Sequence, residues 1–421
     1  MIEARASRLT PAWLVLVLLL CIHIFNFADR FLITGLIGPL KSAFHVDDGF
    51  MGLLMGPAFV LLYVVMGIPM ARLADRTSRV KIIAAGCVMW SACTALTALT
   101  VQPWQLALAR VGVGVGEACF MAPAYSLIAD YFRPEKRGLA FAILGLATYF
   151  GQIAGVAGGP MMERVYGWHA PFLALGIPGI ILGLLFLWLV REPVRDAVAS
   201  QSQQVPFGLM IRELIRAPGY LLMMMAFALG TLSGVSFGNW GPELFARSYG
   251  VDPAAAKAAF AFYFGGAGLI GMLGFGIMVD RLSRRSMEWP VRMAALALFA
   301  ATACVLIATW SPTFTGATLM AIPSGLMGGG WSIGFIAALQ YLLPNRYRAA
   351  ATAIFIAATT LIGFLVGPWV TGLISQSLGN DTQSLRIGLS VTIPLGFVGA
   401  LLGWLAVKRI EADRALLAQS D

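Results

Sequence analysis

Residues 71–79 read Ala-Arg-Leu-Ala-Asp-Arg-Thr-Ser-Arg, and about 205 residues on, residues 276–284 read Gly-Ile-Met-Val-Asp-Arg-Leu-Ser-Arg. Each copy closes an apolar run with an acid and three or more polar positions, so the chain repeats itself at the scale of half its length. A second correspondence supports the first. Arg133-Pro134-Glu135-Lys136-Arg137 and Pro344-Asn345-Arg346-Tyr347-Arg348 each follow the fourth apolar run of a half. Repeated halves of a membrane protein imply a pseudo-symmetric molecule whose site lies where the halves meet.

The composition requires a membrane around those halves. Of 421 residues, 59% are hydrophobic and 12% charged, with mean hydropathy +0.81. A soluble domain would be about 25% charged. The surplus of apolar side chains exceeds what one globule can bury, so lipid must cover the remainder. Twelve runs approach the 20 or so residues that a bilayer requires. They fall near 13–38, 50–72, 81–101, 104–131, 138–162, 169–190, 219–241, 255–279, 289–310, 314–343, 349–374 and 385–407. Arg5 and Arg8 before the first run resemble a signal peptide, but the run is too long and lacks a prompt cleavage site. It reads as the first span.

This gives an all-α membrane protein of twelve transmembrane helices in two pseudo-symmetric six-helix bundles. The bundles are 1–190 and 219–421, joined by a cytoplasmic linker at 191–218. Basic residues alternate between the two sides. With the N-terminus inside, about 22 of the 29 Lys and Arg face the cytoplasm, while Lys41, Arg164, Arg247, Lys257 and Arg386 face outward. That bias places both termini in the cytoplasm and the chain in the inner membrane. It also accounts for the net charge of +9 without nucleic acid. The five cysteines all lie in apolar runs and read as small packing residues rather than a disulfide framework.

The repeated loop resembles the G-x-x-x-D-R-x-G-R-R signature of the major facilitator superfamily. Ala71, Ser78 and Ser283 stand where the signature has glycine. Gly151, Gly155, Gly158, Gly159 and Pro160 in span 5 are similar to the glycine-proline motif of many members. Three further segments resemble the spinster family. They are Asn26-Phe27-Ala28-Asp29-Arg30, the run from Arg110 through Gly112, Gly114 and Gly116 to Glu117, and Asn239-Trp240-Gly241-Pro242. Phe27 stands where that family usually has tyrosine. The resemblance implies a proton-linked transporter; animal relatives carry lysophospholipids or sphingosine phosphate. A related anion-symporter family shares an Asn-x-x-Asp-Arg segment and a span-4 glutamate, which keeps a symporter of small organic carboxylates as the alternative.

A charge in hydrocarbon costs at least about 2.5–3.5 kcal/mol, so four of them need a reason. Asp29 and Arg30 lie on span 1, Arg110 and Glu117 on span 4. At 1.5 Å per residue, Asp29 stands roughly 24 Å above the cytoplasmic face and Arg110 roughly 9 Å below the outer one. In a core about 30 Å thick these depths nearly coincide. The superfamily resemblance implies that spans 1 and 4 are neighbours lining the central cavity, so Asp29 can pair with Arg110. Glu117 lies two turns deeper than Arg110, facing Arg30 or water. An acid that is neutral when occluded and ionised when wet can link proton movement to alternating access, so Asp29 and Glu117 are the proton-coupling candidates. Arg30, Arg110, His23 and Asn239 are the candidates for substrate binding or charge pairing. The plainer reading makes the charges mere cross-links between two helices. In the second half the polar groups are Thr231, Ser233, Ser236, Asn239, Gln340, Tyr341, Thr359 and Thr360, with almost no charge in the spans.

By the superfamily resemblance, Asp75 would cap the start of span 11 and Asp280 the start of span 5, with Arg76, Arg79, Arg281 and Arg284 completing a cytoplasmic gate. Gly112, Gly114 and Gly116 lack a βαβ unit around them, so they mark close packing of span 4 and not a dinucleotide site. Gly328, Gly329 and Gly330 are expected to loosen span 10. His23, His45 and His169 are scattered, so no metal site is expected. No Walker loop and no nucleophile–base pair is present, so the protein is not expected to be an enzyme or to need a cofactor beyond the proton gradient. Its partners are a small amphipathic or anionic substrate, protons and membrane lipids, and it is expected to work as a monomer. The topology has a direct check. Single cysteines at Ser78 and Ser283 should resist an impermeant thiol reagent added outside whole cells, and labelling of either from outside would overturn the placement.

Overall fold

The computed structural model describes residues 10–193 and 207–419, without the side chains at 75, 207, 345–347, 349, 418 and 419. The tail holding Arg5 and Arg8 and linker residues 194–206 lie outside the described residues. Among the described residues, twelve helices are long and apolar enough to cross a membrane, with mean hydropathy between 1.3 and 2.4. The first six are Ala12–Gly35, Asp48–Ala74, Arg79–Thr97, Pro103–Tyr131, Pro134–Tyr166 and His169–Leu189. The other six are Pro218–Ser248, Pro253–Ser283, Glu288–Trp310, Phe314–Leu342, Ala350–Ser377 and Thr382–Val407. No strand occurs among the described residues.

The described residues form two compact units. The first comprises 10–193 together with Asp252–Ala258, and the second the remaining described residues. Inside the first unit the principal packing pairs are spans 3 and 6, 3 and 4, 1 and 5, and 2 and 4. Inside the second they are 9 and 10, 7 and 12, 8 and 10, 7 and 11, and 9 and 12. All but 7 and 12, whose counterpart 1 and 6 packs less extensively, are the first unit's pairs shifted by six spans, which is the repeat of the sequence expressed as packing. Spans 5 and 11 carry the likeness further. Each contains a π-helical turn, at Ala154–Gly158 and Leu361–Val366, directly before Gly159-Pro160 or Gly367-Pro368. Proline lacks an N–H and crowds the preceding turn, and a wider turn absorbs both effects without breaking the helix.

Glycine sets how closely the helices approach. A Cβ on Gly114 would lie 2.4 Å from the Phe59 carbonyl oxygen of span 2, and one on Gly116 would lie 2.7 Å from the Trp90 amide of span 3. Span 4 is therefore pressed against two neighbours, and 61% of its apolar window is buried, against 28% for span 6. Span 10 differs from expectation. It runs unbroken from Phe314 to Leu342, and Cβ atoms on Gly329 and Gly330 would collide with the Gly268 carbonyl and the Phe275 ring of span 8. These glycines bring backbones together and do not loosen the helix.

Helix ends are closed by carboxylates from distant parts of the chain. Asp413, on the C-terminal helix Ile410–Gln419, accepts the Gly219 amide at 2.5 Å at the start of span 7. Burial pushes its carboxyl above the usual aspartate range, opposed by donors from Gly219 and Tyr220. An acid raised in this way contributes stability at low pH that is lost as pH rises through its raised value. Deleting a capping side chain costs about 1 kcal/mol. Asp413→Ala should accordingly lower the melting temperature in detergent, and Asp413→Asn should keep the cap while removing its pH dependence. An Asp413→Ala protein that melts with the wild type would refute the cap.

Candidate functional site

Four ionisable side chains meet inside the first unit, brought there by spans 1 and 4. Asp29 and Arg30 are adjacent on span 1 and so point in different directions around the helix, about 100° apart. Each meets a different residue of span 4. Arg30 Nη2 donates to Glu117 Oε2 at 2.6 Å, while Arg110 Nη1 lies 3.7 Å from Asp29 Oδ2. Arg110 and Glu117 are seven residues apart, two turns, so one face of span 4 carries both. The side chains of Glu117, Arg110 and Asp29 are 0%, 2% and 4% exposed; that of Arg30 is 16% exposed.

Aromatic rings line the guanidiniums. The Arg30 guanidinium carbon lies 5.0, 4.6 and 5.2 Å from the ring centres of Phe27, Phe59 and Tyr63, and that of Arg110 lies 5.2 Å from Phe59. Ring faces hold a cation electrostatically without supplying a negative charge, which suits a cation that must exchange partners. Phe27, which replaces a family tyrosine, serves here as a ring face. Several buried polar atoms of the cluster have no hydrogen-bond partner: Asp29 Oδ2, Arg30 Nε, Arg110 Nε and Glu117 Oε1. A purely structural ion-pair network tends to satisfy every such atom, because each orphan costs about 1–3 kcal/mol. Asp29, Ser91 and Thr94 also line a crevice too narrow to hold a water molecule, with Phe25, Trp90 and Leu175.

His23 and Asn239 stand apart from these four. His23 is 3% exposed, its Nδ1 lies 3.1 Å from the Leu144 carbonyl, and its ring sits between those of Phe27 and Phe120. Asn239 belongs to the second unit and donates to Val235 one turn earlier in its own helix. In the segment containing Asn239, the link between spans is made by Trp240, whose Nε1 donates to the Pro368 carbonyl of span 11 at 2.8 Å. Ser233, Ser236 and Thr359 likewise donate to backbone carbonyls.

Of the residues expected at the cytoplasmic gate, Arg79 has defined partners within its own unit. Arg79 is almost fully buried and binds carboxylates of its own unit, Asp130 at 2.5 Å and Glu192 at 2.7 Å. Glu192 also accepts from the Val80 amide and the Ser78 hydroxyl, closing the N-terminus of span 3. Burial pulls its carboxyl upward, but these donors and the Arg79 charge outweigh it and hold Glu192 below the usual range. Arg79 thus ties together the ends of spans 3, 4 and 6. Arg76, Asp280, Arg281 and Arg284 are exposed, and the Asp75 side chain lies outside the described residues. Asp130 and Glu192 went unnoticed in the sequence because both sit at polar span ends, where acids are common.

Two further charges were missed. Glu243, 4% exposed, lies inside span 7, which runs to Ser248 rather than ending near 241, and it binds Arg247 at 2.8 Å. The second half is therefore less free of buried charge than its sequence suggests. Lys257, counted among the outward-facing basic residues, is 3% exposed and donates to the Gly35 carbonyl at 2.9 Å, within the first unit. Gly35 ends the span 1 helix, where a cation meets the negative end of the helix dipole.

Comparison with known proteins agrees with this architecture. Residues 19–359 match the Major Facilitator Superfamily. An MFS-type efflux pump of Mycolicibacterium smegmatis is 29% identical over 419 residues, covering 97% of this chain and 96% of its own. Protein spinster homolog 1 of Mus musculus is 29% identical over 434 residues, covering 93% of this chain and 79% of its own. The fold is that of a bacterial homolog to the human lysosomal transporter Spinster, solved in an inward-facing and unoccupied conformation. That match has a TM-score of 0.85 at 24% identity and covers 96% of this chain and 98% of the other. The chain belongs to the major facilitator superfamily of multi-pass membrane transporters, and within it is spinster-like.

Proposed function

We propose that the protein is a proton-coupled secondary carrier of the inner membrane that moves an amphipathic, lipid-like anion by alternating access. The observation that carries this reading is the closed exchange set of Asp29, Arg30, Arg110 and Glu117. Two carboxylates facing two guanidiniums leave no net charge when all four are ionised. In a low dielectric that balance is strongly favoured, and breaking one pair alone strands a charge at a cost of about 3–5 kcal/mol.

The coupling follows from keeping the balance. Arg30, the member of the set with the most exposed side chain, can receive a substrate anion if it leaves Glu117. The anion adds one negative charge, and a proton taken up on Glu117 removes one, so the loaded cluster is again neutral. Proton and anion then travel together, and neither is favoured alone. Asp29 holds Arg110 through the cycle and can take a proton in the same manner if the anion reaches Arg110. The resemblance of spans 1, 4 and 7 to the spinster family supports an amphipathic anion over a small carboxylate, as do the three rings around Arg30.

Glu117→Gln, which mimics the protonated acid, should abolish anion-driven proton uptake in proteoliposomes while leaving some substrate binding. The probe is lysophosphatidylglycerol added outside, with a pH dye inside. Asp29→Asn should impair transport at least as severely, because it strands Arg110, and should also lower thermal stability. If both variants take up protons with the substrate as the wild type does, the cluster is a cross-link and the coupling site lies elsewhere.

A further inference from the structure

A groove of about 520 Å³ runs along the outside of the first unit between spans 3 and 6. It lies apart from the charge cluster and plays no part in the proposed transport cycle. Lys81 stands at one end, with Ala85, Val88 and Met89 along span 3 and Leu184 and Leu187 along span 6. Its origin is local. Gly183 lets span 6 approach span 3 so closely that a Cβ there would lie 3.0 Å from Val88 and 3.1 Å from Cys87. The alanine at 85 leaves the trough, and the longer Met89, Leu184 and Leu187, 37%, 54% and 44% exposed, form its walls.

Direction, length and charge identify an occupant. Lys81 is the third residue of span 3, which starts at Arg79, so it sits at the membrane end where the basic loops lie. Trp188, 80% exposed near the end of antiparallel span 6, marks the same level, as interfacial tryptophans do. From Lys81 to Met89 the groove descends about 12 Å, close to the depth of one leaflet in a core about 30 Å thick. Lys81 makes no ion pair with any described residue, and the nearby carboxylate Glu192 is engaged by Arg79. A bare hydrocarbon chain would need no cation at the rim.

We infer that this groove is a binding site for an anionic phospholipid of the leaflet facing the basic loops, with one acyl chain in the trough and its phosphate at Lys81. The volume lies within the range of about 300–1,000 Å³ that built ligand sites occupy. A single cation near an anionic headgroup contributes about a fivefold preference.

Native mass spectrometry of the purified protein tests this. Phosphatidylglycerol and phosphatidylcholine would be titrated separately, with melting temperatures as the folding control. The wild type should retain phosphatidylglycerol about fivefold better than phosphatidylcholine. Lys81→Gln should erase the difference, Lys81→Arg should restore it, and Ala85→Phe, which fills the trough, should reduce retention of both lipids. Three outcomes overturn the inference. They are equal retention of the two lipids by the wild type, an undiminished preference in Lys81→Gln, and a dimer that Ala85→Phe dissociates without loss of lipid. The last would assign the groove to a second copy of the chain.

Discussion

Four charges buried in one six-helix unit must find opposite charge within a few ångströms, and the surrounding packing is arranged to let them. Asp29 and Arg30 on span 1 reach Arg110 and Glu117 on span 4, while glycines press span 4 against spans 2 and 3. Gly114 lies against the Phe59 backbone, and the Phe59 ring in turn lies against both guanidiniums. A bulkier residue at 114 would push span 2 away and carry that ring with it. Packing and electrostatics are therefore coupled here. The close approach sets the Phe59 ring against both guanidiniums, and the pairs at 2.6 and 3.7 Å are what make the buried charges tolerable.

Outside that cluster, charges close helix ends. Glu192 caps span 3, Asp413 caps span 7, and Lys257 meets the C-terminal carbonyl of the span 1 helix. Each comes from a segment remote in sequence. Such contacts offset the free N–H and C=O groups that every helix end presents, and which hydrocarbon cannot satisfy. They also tie tails and loops to the bundle, so a helix such as Ile410–Gln419 is part of the second unit and not an appendage.

Much of this was legible in the sequence, for physical reasons. An apolar run of 20 residues has few alternatives to a span, and all twelve appear within a few residues of their expected limits, apart from span 7, whose helix continues to Ser248. The Asp29–Arg110 pairing followed from depth, because helical rise converts residue count into height, together with the neighbouring of spans 1 and 4 that the superfamily resemblance implies. What failed to show depends on rotation and on tertiary partners. Gly241-Pro242 read as the end of span 7, but Pro242 lies within the helix, which hid Glu243. The partners of Arg79 did not show because its carboxylates, Asp130 and Glu192, lie more than fifty residues away. The glycines of span 10 looked like a weak point because sequence shows the missing side chains and not the backbone that occupies their place.

The central claim is that the cluster remains neutral through transport, so a singly charged anion moves with one proton. Proteoliposomes holding a potassium gradient and valinomycin can impose a membrane potential independently of a pH gradient. The account predicts that a pH gradient drives accumulation of lysophosphatidylglycerol and that changing the potential at fixed pH gradient leaves the rate unaltered. Accumulation that follows the potential, or that proceeds without a pH gradient, would contradict it.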